Sequence, residues 1–269
     1  MSLVRFTLED GVADVRLNRP GKMNALSDDM FDALIAVGRE IAADRRVRAV
    51  VVSGEGRAFC AGLDTSGFSR MAGVDGGESF PANAPRTHGV GNRGQHLSLL
   101  WRDLAAPVIA AVHGVAFGAG LQIALGADIR YVAADAKLAF LELRWGLIPD
   151  MNAFALLREL MRTDVARELV YSARIVDGAE AVAIGLATRV EADPRTAAFA
   201  TARVLAQQSP DALASAKQLF NVAQDSDLAS LAMMESVRQD MLVGTPNQVE
   251  AVKAAGEKRA PKFDVRSSS

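Results

Sequence analysis

The sequence predicts an α/β fold that continues into a helical C-terminal region. Short β-branched segments alternate with segments whose apolar residues recur at helical spacing, and this rhythm begins near residue 4 and returns near residue 107. Beyond about residue 150 the pattern is almost wholly helical. We therefore expect strand–strand–helix–strand units first, and then helices that pack against a core or another subunit.

The first unit opens with a predicted β-hairpin. Val4 to Leu8 and Val12 to Leu17 alternate apolar and polar residues on either side of the turn Glu9-Asp10-Gly11. A helix is expected to begin after Ser27, whose hydroxyl can cap its first amides. The β-branched run from Arg48 to Ser53 then predicts a buried strand.

The second unit follows Pro107. The run VIAAVHGVAFG predicts one apolar strand that leads into the helix GLQIALGAD, and residues 129–132 and 137–140 predict two further strands. Residues 178–190 predict a helix that turns into a strand. Between the two units, residues 71–94 are rich in Gly, Pro and Asn and predict a long loop, and loops of that length are usually functional or disordered.

Composition excludes several classes of protein. The chain has 269 residues, half of them hydrophobic, and its 30 basic residues are interleaved with 32 acidic ones, so no basic stripe predicts a nucleic-acid partner. The single cysteine, Cys60, excludes an internal disulfide framework and favours a reducing compartment. The N-terminus lacks the apolar segment of a secretory signal, and no run approaches the ~20 residues of a membrane span. We expect a cytoplasmic protein with no membrane or nucleic-acid partner.

The histidines and the cysteine predict no metal site. His88, His96 and His113 lack the spacing of metal ligands, and His113 is expected in the core. Cys60 is expected to be a buried small hydrophobe, since no base near it in the sequence would activate a thiol.

Four segments together resemble the crotonase superfamily, the family of the enoyl-CoA hydratases and isomerases. They are LNRPGKMNAL (17–26), GRAFCAGLD (56–64), AVHGVAFGAGLQIALGADIR (111–130) and LELRWGLIPD (141–150). The resemblance implies an α/β spiral of ββα units with two roughly perpendicular sheets. It places the spiral core and the active site in residues 1–194 and a helical trimerisation region in residues 195–269, with a homotrimer or a dimer of trimers as the assembly.

The resemblance also implies the chemistry, which is stabilisation of a thioester enolate between two backbone N–H groups. Carried over by position, these donors belong to Leu63 and Ala119, and they would face the oxygen on which negative charge develops. The acyl-CoA thioester is the implied substrate, and no separate cofactor is expected. The implied substrate-binding or CoA-binding positions are Lys22, Met23, Ala25, Ala61, Asp64, Gly118 and Gln122.

Two of these positions keep an alternative reading. Gly118 and Gly120 could begin a dinucleotide-binding G-x-G-x-x-G, although Ile123 stands at the third glycine, and they could equally form a close-packed strand–helix turn. Asp64 either contacts the ligand or binds backbone amides at its own turn.

The predicted catalytic residues are two carboxylates, Glu142 and Asp150. Family hydratases carry a glutamate where this chain has Gln122, and an amide can orient a water molecule but cannot accept its proton. Aspartate at position 150 resembles the dienoyl-CoA isomerases of the family. The alternatives are that Glu142 pairs with Arg144 or Arg130 and that Asp150 only caps the following helix.

The sequence therefore favours an enzyme that shifts a double bond in an enoyl-CoA or dienoyl-CoA thioester. The alternatives are an enoyl-CoA hydratase and a non-catalytic acyl-CoA-binding homologue. The basic tail at residues 257–263 is expected either near the adenine or phosphates of CoA or free in solvent.

Overall fold

The structure is a computed structural model that describes residues 2–64 and 85–267. The strands in this part of the chain form a six-stranded sheet, in the order β1-β2-β3-β4-β6-β8, and a two-stranded sheet of β5 and β7. Their bounds are β1 Val4–Glu9, β2 Val12–Leu17, β3 Ala49–Gly54, β4 Val108–Val112, β5 Val115–Phe117, β6 Ile129–Val132, β7 Lys137–Ala139 and β8 Arg189–Val190.

The large sheet is mixed. Strands β1 and β2 form the predicted antiparallel hairpin, whereas β2, β3, β4, β6 and β8 are parallel neighbours. Every residue of β3 and of β4 is buried, as their β-branched sequences predict. Because the carboxyl ends of parallel strands lie at one edge of a sheet, the loops after β3 and β4 meet there.

The run VIAAVHGVAFG forms two strands that belong to different sheets, so the prediction of a single strand is wrong. The chain turns at Gly114, whose φ is +61°, and a Cβ there would lie 2.0 Å from the carbonyl oxygen of Arg57. His113 is half-buried with Nε2 2.9 Å from the Gly56 oxygen, and it does not lie in the core as expected. After the turn at Gly114 the chain leaves the large sheet and continues as β5 of the two-stranded sheet.

The helices of the described residues surround these sheets. The predicted cap is confirmed, since the Ser27 hydroxyl accepts a hydrogen bond from the Met30 amide at 3.4 Å. The bounds are α1 Asp28–Ala43, α2 Arg93–Asp103, α3 Ala119–Leu125, α4 Ala153–Leu160, α5 Thr163–Ser172, α6 Gly178–Ala183, α7 Pro194–Ala206, α8 Pro210–Ala223, α9 Leu228–Leu242 and α10 Pro246–Gly256, with 3₁₀ turns at Pro20–Lys22 and Glu142–Trp145.

The predicted loop at residues 71–94 is only partly described. Residues 71–84 lie outside the described part of the chain. Helix α2 already begins at Arg93, so the loop prediction is wrong for its last two residues. The cause is a capping box: the Asn92 side chain accepts from the Gln95 amide at 2.8 Å, and the Gln95 side chain accepts from the Asn92 amide at 3.1 Å.

The C-terminal helices differ in what they contact. Ala198 and Ala202 of α7 are fully buried and pack with Val51 and Ile109 on the outer face of the large sheet. Helix α9, in contrast, buries none of its residues in the single chain. Within the described residues, no helix combines the length and apolar character needed to cross a bilayer. The α/β class is confirmed, while the division at residue 194 stays a prediction.

Candidate active site

The segment after β3 forms one wall of the site. Backbone hydrogen bonds tie it on one side to the turn that precedes α1, from Ala61 N to Met23 O at 2.9 Å and from Leu26 N to Gly62 O at 2.8 Å. On the other side, Phe117 N in β5 donates to Cys60 O at 3.0 Å. Residues 60–62 are therefore held between the turn before α1 and strand β5.

Two backbone N–H groups, one in this wall and one at the start of α3, have no acceptor among the described residues. They belong to Leu63 and to Ala119, the first residue of α3. A Cβ on Gly62, whose φ is +92°, would lie 2.8 Å from Phe117 O and 3.8 Å from Ala119 N, so the two backbones are in close contact. Two adjacent unpaired donors can bind a single oxyanion.

Glu142 lies against the same turn. A Cβ on Gly118 would sit 3.1 Å from Glu142 Oε1 and 3.8 Å from Oε2, and the φ of +50° at Gly118 suits glycine in any case. The Oε1 atom accepts a 2.7 Å hydrogen bond from Gln122 Nε2. The Oε2 atom is buried and has no partner among the described residues. Burial raises the pKa of this carboxyl, and the charge of Asp150 raises it further.

The arginines proposed as partners for Glu142 are engaged elsewhere. Arg144 Nη2 donates to the Ala173 oxygen at 2.6 Å, and Arg130 donates to the carbonyl oxygens of Leu186 and Ala127. The ion-pair reading of Glu142 is therefore wrong. A buried carboxylate without a counter-ion is costly to maintain, and such groups concentrate at functional sites.

Gln122 is buried on α3, with both ends of its amide in use. Its Nε2 donates to Glu142, and its Oε1 accepts a hydrogen bond from the Met151 amide at 2.8 Å. The side chain thus joins the helix that carries Ala119 to the two loops that carry the carboxylates. Sequence reasoning gave Gln122 a place among the ligand-binding residues and missed these protein partners.

Asp150 lies beyond Glu142 on the loop that leads to α4. The helix begins at Ala153, and its N-cap is Asn152, so Asp150 is not the cap. The residue as a whole is exposed, but its carboxyl is partly withdrawn from water, and this burial raises the pKa of Asp150. The charge of this carboxyl also raises the pKa of Glu142.

The turn before α1 contributes a cation and an ion pair. Lys22 is exposed and forms no ion pair within the described residues, while Met23 is half-buried and Ala25 is buried. Asp64 Oδ2 accepts from Arg19 Nη1 at 2.6 Å, a contact that neither reading of Asp64 anticipated. The pair joins the two segments whose backbones meet at Leu26 and Leu63.

Asn24 supports this wall from beneath and was missed by sequence reasoning. It is fully buried, and its Nδ2 donates to the carbonyl oxygens of Glu55, Ala58 and Phe59 at 2.8–3.1 Å. Its Oδ1 accepts from Arg19 N at 2.8 Å. The available signal was an asparagine in LNRPGKMNAL, because asparagine tolerates the φ of +56° found there.

Cys60 is buried as predicted, and burial raises the pKa of its thiol to about 12. A Cβ on Gly120 would lie 2.5 Å from Cys60 O, so glycine allows α3 to pack closely against this segment. In residues 2–64 and 85–267, no three His, Cys, Asp or Glu side chains are grouped as metal ligands.

The basic tail lies away from this site within its own chain. The Phe263 carbonyl accepts from Arg48 Nη2 at 2.6 Å, and Lys262 N donates to Glu250 at 2.7 Å. Arg48 precedes β3, whereas the site follows the other end of that strand, about 17 Å away along its axis. Most of the tail, residues 257–260 and 262, is exposed to solvent, and within the single chain it does not reach the site.

Comparison with known proteins gives consistent matches over the whole chain. The family model for enoyl-CoA hydratase/isomerase matches residues 7–266. The human mitochondrial enoyl-CoA hydratase domain-containing protein 2 is 31% identical over 95% of this chain and 86% of its own length. Mouse mitochondrial methylglutaconyl-CoA hydratase is 30% identical over 94% of this chain and 79% of its own. The crystal structure of an enoyl-CoA hydratase from Mycobacterium smegmatis superposes with a TM-score of 0.82, with 30% identity, over 97% of this chain and 99% of that one.

Proposed function

The chain belongs to the enoyl-CoA hydratase/isomerase family, and from its site we propose that it forms the enolate of an acyl-CoA thioester and moves a double bond along the acyl chain. The observation that carries this proposal is the position of Glu142. Its unpartnered oxygen lies at the Gly118 turn, directly before Ala119, whose N–H group is unpaired like that of Leu63. Such a site can remove a proton and hold the resulting anion.

The amides of Leu63 and Ala119 bind the thioester oxygen in this proposal. When a proton leaves the carbon chain, negative charge accumulates on that oxygen, and the two donors are already in place to stabilise it. Removal of one such donor typically costs about 10²–10³ in rate. Gly62 and Gly118 allow the thioester to approach the backbone closely.

The two carboxyls exchange protons with this enolate. Glu142 takes a proton from one carbon through Oε2, and the C–H electrons pass into the enolate. The enolate electrons then form a C–H bond at a second carbon with a proton from Asp150 or from Glu142, so the double bond has moved and no water has been added. Where Asp150 is the donor it starts protonated, and exchange with solvent afterwards returns a proton to Asp150 and removes one from Glu142. Gln122 takes no proton at any step, because an amide stays neutral at working pH.

CoA binding is assigned to the turn before α1 and the wall after β3. Lys22 offers an exposed cation to a phosphate, and Met23, Ala25 and Ala61 belong to the same turn and wall in this proposal. Asp64 acts by holding Arg19 and with it the shape of this wall. The reaction uses no cofactor other than the CoA carried by the substrate.

Hydration of a 2-enoyl-CoA is the second candidate, and the names of the relatives favour it. The human and mouse relatives are both called hydratases. In this case Glu142 would activate a water molecule with Asp150 as the second carboxyl. Gln122 cannot take the proton of that water, because an amide stays neutral at working pH.

One assay separates these functions. The protein is incubated in D₂O with a panel of 2-enoyl-, 3-enoyl- and dienoyl-CoA esters, and the products are analysed by mass spectrometry. Isomerisation gives a product with the atoms of the substrate except that deuterium replaces hydrogen on carbon. Hydration gives a product with one added water, whose carbon-bound hydrogen is deuterium. Binding of the esters without deuterium uptake or product would leave only the acyl-CoA-binding alternative.

A homotrimer or a dimer of trimers is the proposed assembly, in the cytoplasm. Helix α9 buries nothing in the single chain and exposes four large apolar side chains: Leu228, Met233, Val237 and Met241. Such a face is stabilised by burial against another subunit. Light scattering at micromolar concentration should give three or six times the monomer mass, and a stable monomer would contradict this proposal.

A further inference from the structure

We propose that Gln122 is a positioning residue that fastens Glu142 to the loop carrying Asp150 and turns one oxygen of Glu142 towards the substrate. This inference rests on the proposed function and changes the role expected of Gln122 from ligand binding to orientation. It is carried by three buried polar atoms and two short hydrogen bonds.

The orientation of the amide is forced by its partners. The Met151 backbone N–H can only donate, so it must face the Gln122 oxygen, 2.8 Å away. The amide nitrogen must then face Glu142, where it donates to Oε1 at 2.7 Å. A flipped amide would place two donors against each other at one end and two acceptors at the other. Because Gln122 is 1% exposed, water cannot relieve such a mismatch.

This arrangement makes the two oxygens of Glu142 unequal. Oε1 is held by the amide, and Oε2 is left buried without a partner among the described residues. A carboxylate anchored through one oxygen cannot rotate freely, so Oε2 is presented in one direction beside Gly118. Preorganisation of a proton acceptor in this way lowers the cost of reaching the reactive geometry.

The second hydrogen bond connects Glu142 to Asp150. Met151 is the next residue after Asp150, and its amide is anchored on the same Gln122 side chain that anchors Glu142. The distance between the carboxyls of Glu142 and Asp150 thus depends on the side chain of Gln122, which reaches both loops from α3. The Gln122 oxygen already accepts from Met151, so only its second lone pair could accept from a substrate.

A glutamate at position 122 could not hold Glu142 in this way while both carboxyls are ionised. Its oxygen could still accept from Met151, but its other oxygen would face Glu142 at hydrogen-bond distance. Two carboxylates so close must share a proton. Glutamine instead donates a hydrogen bond to Glu142 and adds no charge. Glu142 can therefore ionise without a second carboxylate beside it.

The test compares Gln122→Met, which keeps the length of the side chain and removes both hydrogen bonds, with the exposed Gln208→Met as matched control. Gln122→Met should lower kcat by about 10–100-fold and change KM by less than about threefold. In a Glu142→Gln background the same substitution should cost less than about twofold, because Gln122 acts through Glu142. Gln208→Met should leave kcat and KM unchanged.

A second readout needs no substrate. Isotope-edited infrared titration, with Glu142→Gln to assign the band, should show the Glu142 carboxyl of Gln122→Met ionising at higher pH than in the wild type. The reason is that a donor to the ionised form has been lost. The shift separates the two proposals: with no turnover of any CoA ester, a shifted titration supports positioning and only the proposed function fails.

Gln122→Glu provides a variant that retains the Met151 contact should Gln122→Met fail to fold. Its carboxyl pair should release its last proton at higher pH than Glu142 alone, and any hydratase activity should increase. The inference is overturned if Gln122→Met raises KM with kcat and the titration of Glu142 unchanged, or if its full loss of kcat persists in the Glu142→Gln background.

Discussion

Two buried polar clusters in this chain differ in how completely their atoms are satisfied. At the amino ends of the strands, Lys217 Nζ donates to Trp101 O, Ala106 O and Asp128 Oδ2 at 2.8, 3.0 and 2.8 Å. At the carboxyl ends, Glu142 receives one hydrogen bond from a neutral amide and leaves a buried oxygen without a partner. Lys217 is buried and all its donors are used, whereas the half-buried Glu142 keeps one buried oxygen unpartnered. In our proposal this difference separates a group that stabilises the fold from one that is available for chemistry.

The groove beside Lys217 reinforces the contrast. It has a volume of about 420 Å³ and is lined by residues of α8 and of the loop before β6, including Asp128 and Phe220. It is larger than the cavity of about 320 Å³ beside His96 and Leu104, yet its lysine has no free donor and it lies at the opposite edge of the sheet from Glu142. Size alone therefore does not identify the candidate site.

The largest expected effect comes from neutralising Glu142. Glu142→Gln preserves shape and removes the proton acceptor, so turnover on the best CoA ester should fall by about 10²–10⁴. Binding of that ester should stay within a few-fold, because the donors at Leu63 and Ala119 are untouched. Steady-state kinetics and calorimetric titration measure the two quantities. Wild-type turnover in the variant would exclude Glu142 from the mechanism.

The opposite result is expected at the saturated cluster. Lys217→Met removes the cation from three acceptors in a buried site and should lower the free energy of unfolding by about 3 kcal/mol. The folded protein should keep its kcat, since Lys217 is remote from the carboxyl ends of the strands. Urea denaturation and kinetics below the transition test this. Lost activity with unchanged stability would reverse the roles assigned to the two clusters.

Asp150→Asn should have a smaller effect than Glu142→Gln. In our proposal Asp150 supplies the second proton, and its removal should suppress double-bond migration by at least about ten-fold. Deuterium uptake at the first carbon should persist, because Glu142 still removes that proton. The exposed Asp135→Asn serves as control. If wild type hydrates crotonyl-CoA rapidly and Asp150→Asn changes nothing, the isomerase proposal is wrong.

The smallest expected effect is on pH dependence. Burial raises the pKa of Glu142, so its basic form is lost as pH falls through a value above the ordinary ~4.3, and kcat/KM should fall there too. The same raised pKa means that the Glu142 carboxyl stays protonated to a higher pH in the folded protein than in the unfolded chain. Stability from this group is thus present at low pH and lost as pH rises through the folded pKa.

This linkage gives a stability measurement that complements the kinetic one. Glu142→Gln, which cannot ionise, should become more stable relative to wild type as pH rises from about 4 to 8. Thermal unfolding of both proteins across this range measures the difference. A relative stability that falls with pH would mean that Glu142 is stabilised in its charged form, contrary to its unpartnered oxygen.

Local pattern was sufficient for much of the fold. The hairpin at Glu9-Asp10-Gly11, the helix capped by Ser27 and the buried strand near residue 50 depend on neighbouring residues, and all three were predicted. The run through His113 and Gly114 was not, because its continuous apolar character hides a turn. That turn follows from the approach of Arg57, which is distant in the sequence.

The sequence by itself determined which family this chain belongs to and which side chains could do chemistry, because motifs preserve residue identity and order. It left open whether Glu142 is an ion-pair partner and whether Asp150 caps the following helix. Those choices depend on which atoms are satisfied by partners remote in the chain. Only the tertiary structure brought Gln122, Glu142 and Met151 together and left Oε2 unpaired.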